Sequence, residues 1–145
     1  MLDNTDRYIL EELSKNSRIK MKELGEKIHM TGQATSIRIA KLEDSGIIEG
    51  YTIKVNYAKL GYPIHVMLNI FHTKTQNHKP YIDFVEKQNK YIIHNYKISG
   101  DGCYILECRF PSNETLNEFL VRLNKYVNYK ITVILNDTKK NILTI

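Results

Sequence analysis

The sequence predicts an α+β fold in two parts, three short helices over residues 1–50 and a domain of strands and helices over residues 62–145. In the first part, apolar residues recur at helical spacing between capping and turn residues. In the second part, segments with a period of two alternate with helical segments in the order βαββαβ. Residues 51–61 join the two parts, and we predict a linker strand there.

The composition is that of a globular protein, and its basic charge gives only weak support for a nucleic-acid partner. Of 145 residues, 42% are hydrophobic and 26% charged, and the formal net charge is +5. Residues 1–60 carry ten Lys and Arg against nine Asp and Glu, so a DNA-binding surface there needs its positive charge on one face. Neither a run of about 18 apolar residues nor a signal peptide occurs, and we expect a cytoplasmic protein without membrane contact.

Three helices are predicted in the first part from apolar residues at helical spacing and from capping and turn residues. Asp3 caps the first, and the second runs from about Lys20 to His29. Thr31 caps the third, which runs from Gly32 to about Ser45, and Gly46 ends it. Apolar residues at helical spacing are expected to form the core between them: Ile9, Leu10, Leu13, Met21, Leu24, Ile28, Ile39 and Leu42.

The short break between the second and third helices is typical of a helix-turn-helix. In that motif the third helix enters the major groove, where Gln contacts adenine and Arg contacts guanine or phosphate. Ile47–Val55 is predicted as a strand pair that turns near Glu49-Gly50, as a wing does. Helical periodicity alone equally allows a protein-interaction module with a solvated polar face. The candidate DNA-binding residues are Thr31, Gln33, Ala34, Ser36, Ile37, Arg38 and Lys41.

The second part is predicted to form a sheet with two helices on one side. Pro80 and Pro111 mark the starts of the helices, and Gly100-Asp101-Gly102 forms a tight turn between the second and third strands. An uncovered and partly apolar sheet face predicts a homodimer, and two-fold symmetry then predicts a palindromic DNA site. In the second strand, one face is expected to carry Ile92, His94, Tyr96 and Ile98.

The spacing of many residues resembles the leucine-responsive and asparagine-responsive (Lrp/AsnC, or feast/famine) regulators of bacteria and archaea. The resemblance covers nearly the whole chain, including Ser99-Gly100-Asp101 and the strand after it. The matching N-terminal positions are Leu2-Asp3, Asp6, Ile9-Leu10, Leu13, Arg18, Glu23-Leu24, Thr31, Arg38-Ile39, Leu42-Glu43, Gly46-Ile47-Ile48, Gly50-Tyr51 and Leu60-Gly61.

This resemblance implies a winged helix-turn-helix, a linker strand and a ferredoxin-like domain that binds amino acids or related metabolites. It also implies dimers that assemble further, often into octamers. The chain departs from the family pattern at Lys20, where a small capping residue is usual, and at Thr35, where an aliphatic core residue is usual. Ile37 replaces a usually polar or basic residue and therefore puts an inherited DNA specificity in doubt.

The turn at Gly100-Asp101-Gly102 is the candidate effector site, together with Cys103. Glycines allow backbone amides to approach a ligand carboxylate, and a nearby carboxylate binds an ammonium group. Family members often have Asp where this chain has Cys103, so the resemblance leaves three alternatives: Asp101 substitutes for it, the ligand preference has shifted, or the site is empty. A simple hairpin turn, in which Gly and Asp are common, is the alternative.

No pattern in the sequence indicates catalysis, a cofactor or a metal. The five histidines lack ligand spacing, and although His72 and His78 flank a loop, no nearby cysteine or carboxylate pattern supports a site. Cys103 and Cys108 are expected on opposite faces of one strand, where they can neither pair nor share a metal. No phosphate-binding glycine motif or nucleophile motif occurs, and Lys139-Lys140 are expected in a solvated tail.

The predicted function is therefore a sequence-specific DNA-binding regulator that responds to an amino acid or related metabolite. An architectural DNA-wrapping protein without an effector is the first alternative, and it would bind DNA with little sequence preference and a steep salt dependence. A small-molecule-binding module or an enzyme on the second domain is the other. We expect no enzyme, because no convergent acid, base or nucleophile is apparent.

Overall fold

The computed structural model describes residues 1–73, 76–88, 90–139 and 143–145. The chain divides into two compact units, Met1–Lys54 with Thr138–Ile145, and Val55–Asp137. The end of the chain thus belongs to the first unit, where the backbone N–H of Ile145 donates to Glu11 Oε1 at 3.1 Å. Of the two lysines predicted in a solvated tail, Lys139 is exposed and Lys140 lies outside the described residues.

The three predicted helices form in the first unit: α1 (Asn4–Lys15), α2 (Met21–Lys27) and α3 (Gly32–Asp44). The Asp3 carboxylate accepts from the Asp6 N–H at 2.8 Å, and the Asp6 carboxylate accepts from the Asp3 N–H at 3.1 Å. This reciprocal arrangement satisfies two backbone donors at the start of α1. Gly46 follows α3 with a φ of 72°, which a glycine adopts without strain.

The core of the first unit lies between α1, α2 and α3, and α2 and α3 approach closely at Gly25. A Cβ atom at Gly25 would lie 2.5 Å from the Met30 carbonyl oxygen and 3.0 Å from Thr35 Oγ1, so only glycine fits there. The sequence did not draw attention to this residue. The buried apolar residues are Ile9, Leu13, Ile19, Leu24, Ile39 and Leu42.

The strands predicted between residues 47 and 61 are not present in this fully described part of the chain. Residues 47–56 form no strand, and residues 57–61 form a turn closed by a hydrogen bond from the Tyr62 N–H to the Tyr57 carbonyl at 2.8 Å. A strand requires a hydrogen-bonded neighbour, and alternating apolar residues alone do not supply one. Tyr51 and Ile53 are consequently exposed.

The second unit has the predicted βαββαβ order, with one four-stranded antiparallel sheet in the strand order β2-β3-β1-β4. Its elements are β1 (Ile64–Phe71), α4 (Lys79–Lys87), β2 (Ile92–Gly100), β3 (Gly102–Phe110), α5 (Asn113–Leu123) and β4 (Asn128–Val133). Pro80 lies in the first turn of α4, as predicted, and the Ser112 hydroxyl caps α5 by accepting from the Thr115 N–H at 3.1 Å. The buried core includes Val66, Leu68, Ile70, Tyr81, Phe84, Tyr104, Leu106, Cys108, Phe110, Phe119 and Leu123.

The prediction that Ile92, His94, Tyr96 and Ile98 lie on one face of β2 is wrong. Ile92 pairs with the buried Cys108, whereas His94 pairs with Glu107 on the other face, so an extra residue interrupts the register between them. A bulge of this kind reverses which side chains face the core. Asn95 therefore lies on the core side, where its Oδ1 accepts a hydrogen bond from the Tyr81 hydroxyl at 2.9 Å.

The edge strand β4 ends at Val133, three residues before its predicted end. Ile131 and Val133 pair with the core residues Leu68 and Val66 but are 40% and 53% exposed. The apolar side of this strand is thus left uncovered within one chain. Across the described residues, no helix is long and apolar enough to cross a membrane.

Candidate functional site

One exposed face of α3 carries most of the candidate DNA-binding residues. Gln33, Ile37 and Lys41 follow one another at four-residue intervals, with Ser36 beside them, and all four are exposed. Ile37 is 53% exposed, so this chain presents a branched apolar side chain at the centre of the face. A polar and basic surface with a central apolar group has the chemistry to contact phosphates, base edges and a thymine methyl.

The opposite face of α3 explains why the exposed face is fixed in place. Thr35, Ile39 and Leu42 are buried, and Thr35 is fully so. Thr35 stands where the family usually has an aliphatic residue, and its hydroxyl is therefore an additional polar group in the core. This hydroxyl donates a hydrogen bond to the Thr31 carbonyl at 2.8 Å and is thereby satisfied. The Thr31 hydroxyl in turn accepts from the Ala34 N–H at 3.1 Å and caps the helix. Thr31 and Ala34 thus serve the start of α3 itself.

Arg38 has two carboxylate partners in the first unit. Its Nη1 atom lies 2.6 Å from Asp3 Oδ2 and 2.8 Å from Asp6 Oδ1, at the start of α1. The hydrogen bond from the Asp6 N–H, followed by that from Arg38, lowers the pKa of the Asp3 carboxyl below its usual range. The guanidinium therefore joins α3 to α1, a role that sequence spacing did not reveal because Asp3 and Arg38 are 35 residues apart.

A second ion-pair group joins α1 to α2. Glu12 is buried, and its two carboxylate oxygens bind Lys15 Nζ at 2.6 Å and Lys27 Nζ at 2.5 Å. These two hydrogen bonds lower the pKa of the Glu12 carboxyl. Carboxylates thus connect α1 both to α3 and to α2, which orients the helix-turn-helix pair.

The predicted effector residues Gly100, Asp101, Gly102 and Cys103 form a tight connection between β2 and β3. Gly102 has a φ of 103°, and a Cβ atom there would lie 2.7 Å from the Ile70 carbonyl oxygen. Asp101 is exposed, its carbonyl accepts from Asn69 Nδ2 at 2.9 Å, and its carboxylate lies 3.3 Å from Lys130 Nζ. Gly100 and Asp101 are exposed in a single chain, whereas Gly102 and Cys103 are partly buried.

Cys103 lies close to two histidines that the sequence analysis did not group with it. One donor atom from each of His72, His78 and Cys103 lies within 4.8 Å of the others. The expectation that no metal-ligating pattern exists rested on spacing along the chain. It missed this cluster because the end of β1, the start of α4 and the start of β3 meet only in the folded sheet.

Comparison with known proteins gives the same two-part organisation. Residues 2–49 match the family model for a winged helix-turn-helix DNA-binding domain, and residues 69–143 match that for the Lrp/AsnC ligand-binding domain. The chain is 56% identical over 135 residues to the HTH-type transcriptional regulator LrpA of Bacillus subtilis, an alignment that covers 93% of this chain and 98% of that protein.

Solved structures agree over nearly the full length. The structure of Bacillus subtilis LrpC superposes with a TM-score of 0.89 at 30% identity and covers 97% of this chain and 99% of its own. The fold is also that of a transcriptional regulator from Neisseria meningitidis in complex with L-methionine, with a TM-score of 0.89 at 20% identity, over 99% and 97% of the two chains. The chain therefore belongs to the Lrp/AsnC family of transcriptional regulators, with an N-terminal winged helix-turn-helix and a C-terminal ferredoxin-like ligand-binding domain.

Proposed function

We propose that this regulator binds specific DNA sites through the exposed face of α3 and that an amino acid or related small metabolite modulates this binding. The observation that carries the proposal is the pairing of an exposed polar and basic α3 face with a separate ligand-binding domain in one chain. A ligand that prefers one state of the protein changes its DNA affinity, typically by about 1–3 kcal/mol.

Within the first unit, different residues have different proposed roles. Gln33, Ser36 and Ile37 contact base edges, and Lys41 contacts phosphate, because these side chains are exposed on one helix face. Arg38 acts by holding the start of α1 against α3, since two carboxylates bind its guanidinium. Thr31 and Ala34 form the capped start of α3 near the DNA backbone.

A homodimer would place two copies of α3 on the two halves of a palindromic site. The exposed apolar side chains of β4 and of residues 51–55 support self-association, because one chain leaves them uncovered. Higher assembly, including an octamer, is compatible with such surfaces. The open turn at Gly100–Cys103 would then gain its enclosing walls from a second chain.

The effector proposal rests on the turn between β2 and β3 and on one relative. Gly100 and Asp101 are exposed in this turn, and Asp101 adds a carboxylate for an ammonium group. The Neisseria meningitidis regulator with the same fold was solved with L-methionine. An amino acid carries both a carboxylate and an ammonium group, so its chemistry complements the turn.

Two α3 variants test the DNA-binding part by fluorescence anisotropy on DNA from the regulator's own upstream region, with scrambled DNA as the control. Gln33→Ala should reduce the preference for the native DNA by about 5-fold to 150-fold, since a base contact is worth about 1–3 kcal/mol. Lys41→Ala should weaken binding to both DNAs and reduce the salt slope by about one.

Lys22→Ala, at an exposed lysine of α2, is the matched control for loss of charge. If Lys22→Ala weakens binding as much as Lys41→Ala does, and Gln33→Ala leaves the preference unchanged, α3 is not the contact surface. Equal binding of the wild-type protein to native and scrambled DNA would instead favour an architectural DNA-wrapping protein.

A further inference from the structure

Three side chains that bind transition metals in many proteins meet at one end of the sheet. His72 directly follows β1, His78 is the residue before α4, and Cys103 is the second residue of β3. One donor atom of each lies within 4.8 Å of the other two, and all three residues are partly buried. We propose that this His72–His78–Cys103 cluster binds one thiophilic transition-metal ion of the Zn(II) type.

Within the part of the chain that the structure describes, the imidazole of His72 lacks the hydrogen-bond partners that a buried ring requires. Both of its ring nitrogens are buried, and neither has a hydrogen-bond partner among the described residues. A buried polar atom without a protein partner is costly in a folded chain and calls for a bound water, an ion or a functional role. A metal ion supplies the electron-pair acceptor that an unprotonated nitrogen requires. The rings of Tyr81 and Tyr104 pack edge-on against His72 and restrict its orientation.

One ring nitrogen of His78 has a hydrogen-bond partner. Its Nδ1 atom lies 3.0 Å from the Tyr104 hydroxyl. With a proton on Nδ1, the ring donates to Tyr104 and leaves the electron pair of Nε2 free for a metal, as a hydrogen bond to the second ring nitrogen does in known metal sites. The rings of His72 and His78 stack, with their centroids 3.9 Å and their planes 19° apart, so one ring has to rotate before both imidazoles bind the same ion.

The set of donor atoms indicates the class of metal. Two imidazoles and one thiolate match the ligands of Zn(II), with bonds of about 2.0–2.1 Å to nitrogen and about 2.3 Å to sulfur. Donors around a tetrahedral zinc lie about 3.3–3.7 Å apart, so the cluster needs a contraction of about 1 Å to close around an ion. Hard cations such as Mg²⁺ are disfavoured because the cluster provides no carboxylate. Three protein ligands leave the fourth position for a water molecule or a small ligand.

This site shares Cys103 with the proposed effector turn at Gly100–Cys103 but uses different chemistry. Its ligands are side-chain donors, whereas the effector proposal depends on the carboxylate of Asp101 and on the backbone of the turn. Metal binding is therefore measured without DNA and without amino acids. A negative result for the metal leaves the proposed function intact, and loss of DNA binding leaves the metal site intact.

Cobalt absorption provides the direct test, because Co(II) occupies zinc sites and reports its ligands. We expect the full-length protein, freed of metal with a chelator and kept reduced, to bind one Co(II) per chain. Its spectrum should show a thiolate-to-cobalt charge-transfer band and the intense visible bands of tetrahedral cobalt, and Zn(II) should displace both. Absence of a thiolate band in the folded wild-type protein would overturn the proposal.

Variants assign the ligands. Cys103→Ser should abolish the thiolate band, and His72→Gln and His78→Gln should each weaken cobalt binding at least tenfold. His94→Gln, which removes an exposed histidine of β2, is the matched control and should leave binding unchanged. Circular dichroism verifies that each variant is folded. A thiolate band that persists in Cys103→Ser would refute the assignment.

The wild-type protein offers a test that needs no variant. Zn(II) should slow the alkylation of Cys103 by iodoacetamide at least tenfold, as measured by mass spectrometry of the modified peptides. Cys108 is the internal reference, since burial raises its pKa to about 12 and keeps it unreactive with or without the metal. Equal alkylation of Cys103 in the presence and absence of Zn(II) would contradict a metal–thiolate bond.

Discussion

The exposed face of α3 and the turn between β2 and β3 are held in place in different ways. The α3 face is complete within one chain, because buried residues on its other side and the ion pairs of Arg38 with Asp3 and Asp6 fix the helix. The turn is fixed by a glycine that no other residue can replace, yet it remains open to solvent. The proposed DNA-binding face is thus complete within one chain, whereas the proposed effector turn would need further walls to form an enclosed pocket.

Removal of core support beneath α3 should have the largest effect. Leu42 is buried against α1 and α2, and Leu42→Ala should destabilise the first unit by about 2–5 kcal/mol through the lost burial and the cavity left behind. Hydrogen exchange should then rise in α1–α3 and much less in the sheet. Leu60→Ala, at a residue 61% exposed, is the control and should have little effect. Unchanged exchange in α3 would contradict the core placement of Leu42.

Gly102→Ala should have the next largest effect, and it should act on the second unit. The new Cβ atom would lie 2.7 Å from the Ile70 carbonyl oxygen, and the φ of 103° adds about 1–3 kcal/mol of backbone strain. Gly61→Ala separates these two causes, because Gly61 has a φ of 98° with open space around it. Thermal unfolding should show a larger loss for Gly102→Ala; an equal loss would mean that backbone strain alone requires glycine in the turn.

Gly25→Ala should destabilise the first unit by about 1–3 kcal/mol, because the Cβ atom would lie 2.5 Å from the Met30 carbonyl and force α2 away from α3. DNA affinity should fall with it, since the position of α3 changes. Gly50→Ala is the control, because a Cβ atom at Gly50 would meet no atom within 4 Å. Chemical denaturation of both variants gives the comparison, and a neutral Gly25→Ala would show that the two helices can separate at little cost.

Acid should weaken the first unit through its paired carboxylates. The pKa values of Asp3 and Glu12 are lowered in the folded state, so their stabilisation is present above the unfolded pKa of about 4 and is lost as the pH falls through the lowered values. Thermal unfolding at pH 7 and at pH 3 should show the loss. Asp3→Asn should reduce this pH dependence, and an undiminished dependence would exclude a contribution from Asp3.

Local signals were sufficient to predict the helices and most strands. Asp3, Thr31, Gly46 and Pro80 act on their own turns, and each lies where the sequence placed it. The β2 bulge, the Arg38 ion pairs and the His72–His78–Cys103 cluster depend instead on contacts between distant segments. The strand predicted over residues 51–61 failed for a related reason, because periodicity cannot provide a pairing partner.

The roles of the candidate residues were only partly accessible from the sequence. The helix-turn-helix pattern singled out residues of the third helix, of which the structure exposes Gln33, Ile37 and Lys41 on one face. The spacing of residues along the chain does not show that carboxylates bind Arg38, or that Gly25 allows the close approach of α2 and α3. Both features arise from how the helices pack.

The most direct test of the central claim is the affinity of the full-length protein for DNA from its own upstream region, measured by fluorescence anisotropy with and without a pool of amino acids. We predict a Kd at least tenfold lower for this DNA than for scrambled DNA, and a shift of about 5-fold to 150-fold when the pool is added. Equal affinity for both DNAs, unaffected by the pool, would contradict an effector-responsive and sequence-specific regulator.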